Sequence, residues 1–123
     1  MPLSCLIVDD NRAFLEAAQM LLERECLTVA GTATTSDEAL RKAESLRPDV
    51  VLVDISLGEE SGFDLARRLV DAYPGNETAV VLISTRAEAD VADLIAESPA
   101  LGFVPKVELS AGAIRRLVDG RRP

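Results

Sequence analysis

The feature that most restricts this chain is the run Val50-Val51-Leu52-Val53, which is apolar at every position and not at alternate ones. A strand with one solvated face alternates, whereas a strand buried on both faces is expected inside a parallel sheet that helices cover on both sides. Short runs rich in branched residues recur at Cys5 to Val8, Thr28 to Gly31, Ala79 to Ile83 and Leu101 to Val104, each followed by a longer stretch of helical periodicity. That alternation is the mark of βαβ units and predicts an α/β chain wound around a five-stranded parallel sheet.

Five helices are expected between and after these strands. The first is predicted from about Asn11 to Arg24, with Phe14, Ala17, Ala18 and Leu21 at i, i+3, i+4 and i+7 as its buried stripe. The second is capped by Thr35 with Glu38 completing a capping box, and stops before Pro48, whose ring disfavours helical geometry at Arg47. The third runs from about Gly62 to Ala72, burying Leu65, Ala66 and Leu69 and ending ahead of Pro74-Gly75. The fourth spans about Glu88 to Glu97. The fifth spans about Leu109 to Val118, with Ala113, Ile114 and Leu117 on one side and Arg115-Arg116 on the other. Phe14, Met20 and Phe63 read as core or helix-packing residues. Residues 1–119 are expected to form one domain and 120–123 a short frayed tail.

Composition narrows the chemistry. With 48% hydrophobic and 28% charged residues, the chain is expected to fold as an ordinary globular domain. No apolar run approaches a membrane span and the N-terminus lacks a signal-peptide pattern, so a cytoplasmic location is expected, with no membrane partner. A net charge of −8 argues against direct nucleic-acid binding, because phosphate backbones are gripped by excess Lys and Arg. There is no histidine, which removes Ser-His-Asp and Cys-His pairs, histidine general bases and histidine zinc ligands together. Chemistry must then run on carboxylates, Ser, Thr and Lys. Cys5 and Cys26 form no C-x-x-C pair and are each read as small buried hydrophobes, without a disulfide.

In a parallel sheet all strands point one way, so the residues after their C-terminal ends share one edge, where ligands of such folds bind. Read together, those ends carry Asp9-Asp10, Asp54, Ser84-Thr85 and Lys106. Each has a plain structural explanation alone, as a cap, a turn residue or a solvated charge. Jointly, three carboxylates at one rim repel one another and must protonate or find a cation. A hard ion such as Mg²⁺ suits an all-oxygen site, and Lys106 would add the remaining positive charge.

The segments Ile7-Val8-Asp9-Asp10-Asn11, Pro48-Asp49-Val50-Val51-Leu52-Val53-Asp54-Ile55, Val81-Leu82-Ile83-Ser84 and Gly102-Phe103-Val104-Pro105-Lys106 together resemble the receiver domains of two-component response regulators. The resemblance covers essentially the whole chain. It implies a flavodoxin-like, doubly wound sheet of order 2-1-3-4-5 and puts the phosphoacceptor at Asp54. It implies Mg²⁺ held by Asp9, Asp10, Asp54 and the backbone carbonyl of Ser56, with Ser84 and Lys106 contacting the phosphoryl oxygens. Phe103 falls at the family's aromatic switch position. The implied partners are a sensor histidine kinase or phosphotransfer protein as donor and a downstream output protein or domain, and a phosphorylation-dependent homodimer is compatible with it. Since the chain has no histidine, a phosphohistidine donor must come in trans. The chain would be a signalling receiver that promotes only its own phosphorylation and dephosphorylation, reading out through helix four, strand five and helix five, roughly Glu88 to Val118.

Three departures stand out. Val107 follows the lysine where receivers usually have a proline in cis, so a trans Lys106-Val107 bond is expected, because a cis bond without proline costs about 2.5–4 kcal/mol. Gly58 replaces a common proline in the loop after Asp54, and Phe103 lacks the hydroxyl of a tyrosine. Two other readings stay open: a phosphatase-type enzyme with an aspartyl nucleophile, although Ser56 stands where its second acid is wanted, and a receiver-like scaffold that takes no phosphate. A dinucleotide site is disfavoured, since Asp9-Asp10-Asn11-Arg12 occupies the place of a G-x-G-x-x-G turn. The segment from Gly102 to Leu109 is similar to receivers joined to helix-turn-helix domains. The chain is therefore either a single-domain regulator or a receiver cut from a longer one.

Overall fold

A computed structural model describes residues 3–73 and 78–120. In chain order the elements are β1 (Ser4–Val8), α1 (Arg12–Arg24), β2 (Thr28–Ala33), α2 (Ser36–Leu46), β3 (Val50–Asp54), α3 (Gly62–Ala72), β4 (Ala79–Ser84), α4 (Ala92–Glu97), β5 (Gly102–Pro105) and α5 (Ala111–Gly120). The strands form one parallel sheet in the order β2-β1-β3-β4-β5, as expected.

The sheet explains the unbroken apolar runs. Successive side chains of a strand point to opposite faces. Cys5 and Ile7 of β1 and Val50 and Leu52 of β3 pack with Leu15, Ala18 and Leu22 of α1 and Ile114 and Val118 of α5. Leu6, Val8, Val51 and Val53 pack on the other face with Ala39 and Ala43 of α2, Leu65, Ala66 and Leu69 of α3, and Phe103. Both faces are dry, so both sets must be apolar.

Several local expectations are met. Thr35 caps α2, its hydroxyl accepting from the Glu38 amide at 3.2 Å, while Glu38 reaches back to the Thr34 amide at 2.7 Å instead of that of Thr35. Arg47 takes a left-handed conformation (φ 45°) just before Pro48. No cis peptide occurs among the described residues. None of their helices is long and apolar enough to cross a membrane.

Other expectations are corrected. The buried stripe of α1 is Leu15, Ala18 and Leu22, one residue round from the one expected; Ala17 is exposed, and Phe14 and Leu21 are half-buried. Two overlapping apolar stripes exist on this helix, and the sheet takes the one with two leucines. Met20 is exposed, not core. Cys5 is buried, but Cys26 is exposed, and it is the left-handed residue (φ 67°) that closes α1. There Leu27 N–H donates to Leu22 O and Cys26 N–H to Glu23 O, a Schellman motif without its usual glycine.

The fourth helix divides into a 3₁₀ turn, Glu88–Val91, and a six-residue α-helix with no side-chain N-cap and no buried residue of its own. Neither start has a side-chain cap, and Asp90 N–H instead donates to Ala87 O at 3.0 Å in the tighter 3₁₀ pattern. α5 starts at Ala111, two residues late, where Ser110 Oγ accepts from Ala113 N–H at 3.0 Å. Gly120 belongs to that helix, while residues 121–123 of the expected tail, and Pro74-Gly75 after α3, lie outside the described residues.

Candidate functional site

The strand ends converge as the sequence implied. Asp9 follows β1 directly, Asp54 ends β3, Ser84 ends β4, and Lys106 follows Pro105 at the end of β5. Asp9, Asp10 and Asp54 each place a carboxylate oxygen within 4.8 Å of the others. Asp9 is fully buried and Asp54 nearly so, whereas Asp10 is exposed.

Lys106 ties this group together. Its Nζ donates to Asp54 Oδ2 at 3.1 Å and lies 2.5 Å from Asp9 Oδ2. The second contact makes the ammonium the counter-charge of Asp9 Oδ2, which is sealed from solvent and meets no other donor among the described residues. The other oxygens are held by backbone: Asn11 N–H donates to Asp9 Oδ1 at 2.9 Å, and Ser56 N–H to Asp54 Oδ1 at 3.1 Å.

These contacts set the protonation balance. Burial pushes the Asp54 carboxyl above its ordinary value and the charge of Asp9 adds to this, against the downward pull of the Ser56 amide and the Lys106 ammonium. For Lys106, burial alone would favour the neutral amine. Its bonds to Asp9 and Asp54, and their charges, outweigh that and hold its pKa above the ordinary value. One ammonium thus meets two carboxylates of a group of three, leaving negative charge that a hard divalent cation bound by their oxygens would offset. The residues fit Mg²⁺.

Around this centre the loop after Asp54 folds as a short antiparallel ribbon, Ser56–Leu57 with Glu60–Ser61, which sequence reasoning missed. Its turn needs Gly58 at φ 61°, and Glu60 Oε1 accepts from the Ser36 amide at 3.0 Å, binding the ribbon to the start of α2. Ser84 is buried, and its Oγ accepts from Arg86 N–H at 2.9 Å, leaving its own O–H free to donate. Phe103 is 8% exposed and belongs to the apolar cluster that includes Val91, with half-buried Ile95 and Ala100 packed against it. Asn11 and Phe14 are two further contributors: Asn11 Oδ1 caps α1 by accepting from Phe14 N–H at 3.2 Å, and the Phe14 ring lies under Lys106. The signal for Asn11 was its type at a helix start; for Phe14, half-buried beside the core, there was none.

Comparison with known proteins matches this geometry. The chain is 32% identical over 120 residues to a Bacillus subtilis protein named as an uncharacterized transcriptional regulatory protein, covering 94% of this chain and 59% of that one. It is 30% identical over 121 residues to the response regulator GacA of Pseudomonas viridiflava, covering 95% and 56%. The chain therefore spans little more than half the length of these curated relatives. Among solved structures it resembles a Burkholderia pseudomallei response regulator with a phosphorylated aspartic acid, calcium ion and citrate, at 26% identity and a TM-score of 0.78, covering 94% of this chain and 65% of that one. The model of the response regulator receiver domain matches residues 5–118, from the first core residue of β1 to the last buried residue of α5. Sheet order, strand-end carboxylates and family match agree, and the chain belongs to the response regulator receiver domain family.

Proposed function

We propose that residues 1–119 form a phosphoacceptor domain that takes a phosphoryl group from the phosphohistidine of a partner kinase or phosphotransfer protein onto Asp54, in a Mg²⁺-dependent reaction in the cytoplasm. The observation that carries this reading is Lys106, whose single ammonium bridges Asp9 and Asp54 within a group of three carboxylates whose oxygens lie within 4.8 Å of one another. Asp9, Asp10 and Asp54, with the Ser56 carbonyl, would hold the ion. Bound there, Mg²⁺ supplies positive charge that offsets what gathers on the phosphoryl oxygens during transfer.

The chain's own residues do the rest. Asp54 is the nucleophile. Its Oδ1 is fixed by the Ser56 amide, and its Oδ2 is the oxygen that Lys106 holds, so attack requires Lys106 to turn part of its donor capacity from the carboxylate to the incoming phosphoryl oxygens. Ser84 has a free O–H to give to the same oxygens. The phosphorylated aspartic acid and calcium ion of the Burkholderia pseudomallei relative lend support by likeness. Signalling passes to an output protein or domain through α4, β5 and α5.

Incubation with acetyl phosphate and Mg²⁺, followed by intact mass, tests the acceptor. One added phosphoryl group is expected on the parent and none on Asp54→Asn; equal labelling of the two would reject Asp54.

A further inference from the structure

The ammonium of Lys106 lies 4.3 Å from the centroid of the Phe14 ring. This contact matters because the backbone of the loop carrying Lys106 is held, by Leu109 N–H donating to Lys106 O at 3.2 Å and by the burial of Leu109, but that does not set where the long Lys106 side chain points. Lys106 opens a 3₁₀ turn, Lys106–Glu108, in which Val107 is 93% exposed. Yet the Lys106 side chain is only 11% exposed, held in one place at the rim. On the reading above, its contact with Asp54 is the one that must be shared with an incoming phosphoryl group, so that carboxylate cannot alone fix it.

We infer that Phe14 is the positioning residue for Lys106, its ring face holding the ammonium over the acceptor through a cation–π contact; this rests on the phosphoacceptor reading above. Phe14 is well suited to the task. Its amide is tied to Asn11 Oδ1 at 3.2 Å, and the Asn11 amide is tied to Asp9 Oδ1 at 2.9 Å, so the first turn of α1 is pinned to the carboxylate that Lys106 faces. The side chain is half-buried and packs against the apolar cluster on this face of the sheet. A closed circuit results: Asp9 to Asn11, Asn11 to Phe14, Phe14 to Lys106, and Lys106 back to Asp9. An ammonium with three donors needs an acceptor-rich side and a side that shields it from water without taking its protons. The ring face is the second side, and unlike a carboxylate it does not compete with phosphoryl oxygens for N–H groups. Contacts of this kind strengthen when they are drawn out of solvent, as here.

A leucine would fill the same space but has no negative ring face, which separates this role from plain packing. With Mg²⁺ and acetyl phosphate, Phe14→Leu should phosphorylate roughly three- to tenfold more slowly, and Phe14→Tyr and Phe14→Trp should stay near the parent rate. Replacing Phe14 by phenylalanines bearing increasing numbers of ring fluorines keeps the shape while draining the ring face, and the rate should fall stepwise along that series. Independently of any phosphodonor, the ε-methylene protons of Lys106 should resonate upfield of those of Lys42, through the ring current. A flat fluorine series, or Lys106 protons at the position of solvent-exposed lysine, overturns the role of Phe14. Labelling of Asp54→Asn equal to the parent would instead overturn the acceptor assignment, leaving the ring-current result to stand by itself.

Discussion

A Cβ on Gly62 would lie 1.9 Å from the carbonyl oxygen of Asp54 and 2.7 Å from Cα of Ile55. The first residue of α3 is thus packed directly against the backbone that carries the acceptor, with Gly62 N–H donating to Ile55 O at 2.9 Å. No side chain fits between them, and the obstacle is main chain, which cannot swing aside. Gly62→Ala must displace either the ribbon after Asp54 or the start of α3. We expect a loss of at least about 3 kcal/mol in urea unfolding, together with slower phosphorylation of whatever fraction folds. Parent-like stability would mean that this contact is loose in solution.

Gly112 is the contrasting case. It lies inside α5, is exposed, and an added Cβ would meet only Arg116 Nη1 at 3.5 Å and Ser110 Oγ at 3.8 Å, both ordinary contacts. Glycine there costs backbone entropy without serving a close approach. Gly112→Ala should stabilise the protein by about 0.5–1 kcal/mol, read as a higher urea midpoint at unchanged slope.

The two thiols should behave differently. Burial, with the charge of Glu23 adding to it, pushes the Cys5 thiol up to about 12, so it is a neutral thiol at any ordinary pH. Cys26 is exposed. At about pH 8 a disulfide reagent should titrate one thiol quickly and the second only at the rate of unfolding, and Cys26→Ser should abolish the fast phase. The folded-state value of Cys5 lies above its ordinary 9.0, so this stabilising contribution is complete below that pH and is lost as pH rises from there toward 12. Because Cys26 sits at φ 67°, Cys26→Gly should gain about 1 kcal/mol.

The carboxylate cluster makes a signed prediction about Mg²⁺ and pH. The Asp54 carboxyl is raised in the folded state, so its contribution to stability is present below the ordinary carboxylate value and is lost as pH rises through the folded-state one. In the presence of a chelator, Asp54→Asn should therefore match the parent at acid pH and become more stable than it as pH rises. Millimolar Mg²⁺ should raise the parent's melting temperature, by about 2.7 kcal/mol equivalent at a hundredfold its Kd, and should do little for Asp10→Ala. Equal stabilisation of parent and Asp10→Ala would remove Asp10 from the site.

How far the sequence could be read depended on whether the signal was local. Unbroken runs such as Val50 to Val53 announce burial on both faces, so sheet and strand ends, and with them Asp9, Asp54 and Lys106 at one edge, were legible. Thr35 and Pro48 punctuate α2 by their own chemistry. What stayed hidden depended on contacts distant in sequence or on near-equal alternatives: which of two overlapping stripes α1 buries, the reach of Glu60 to Ser36, and Gly62 against Asp54. Cys26 at a glycine position gave no sign of the left-handed turn it makes. The weakness of α4 was equally silent, because a periodic pattern does not reveal a missing cap.

That weak element bears on output. Ser84 now holds the Arg86 amide, two residues before the 3₁₀ turn that leads into α4, and Phe103 packs beside Val91 at the end of that turn. A phosphoryl group on Asp54 would offer the Ser84 O–H a charged acceptor, stronger than any neutral one, and drawing Ser84 inward would strain or break its bond to Arg86. Segment 86–97 has no side-chain cap at either helical start and no buried residue within α4, so it should shift at the low cost typical of locally unstable segments. Phe103, already inside, should follow Val91 rather than travel in from the surface. A coupling of about 1–3 kcal/mol between phosphorylation and this shift would suffice for signalling. Backbone NMR with Mg²⁺ and beryllofluoride should therefore move Ser84, Arg86, Val91 and Phe103 together, and Ser84→Ala should remove the distant shifts while Asp54 still binds the mimic. Perturbations confined to the loops around Asp9, Asp10 and Asp54 would reject this route to the α4–β5–α5 face.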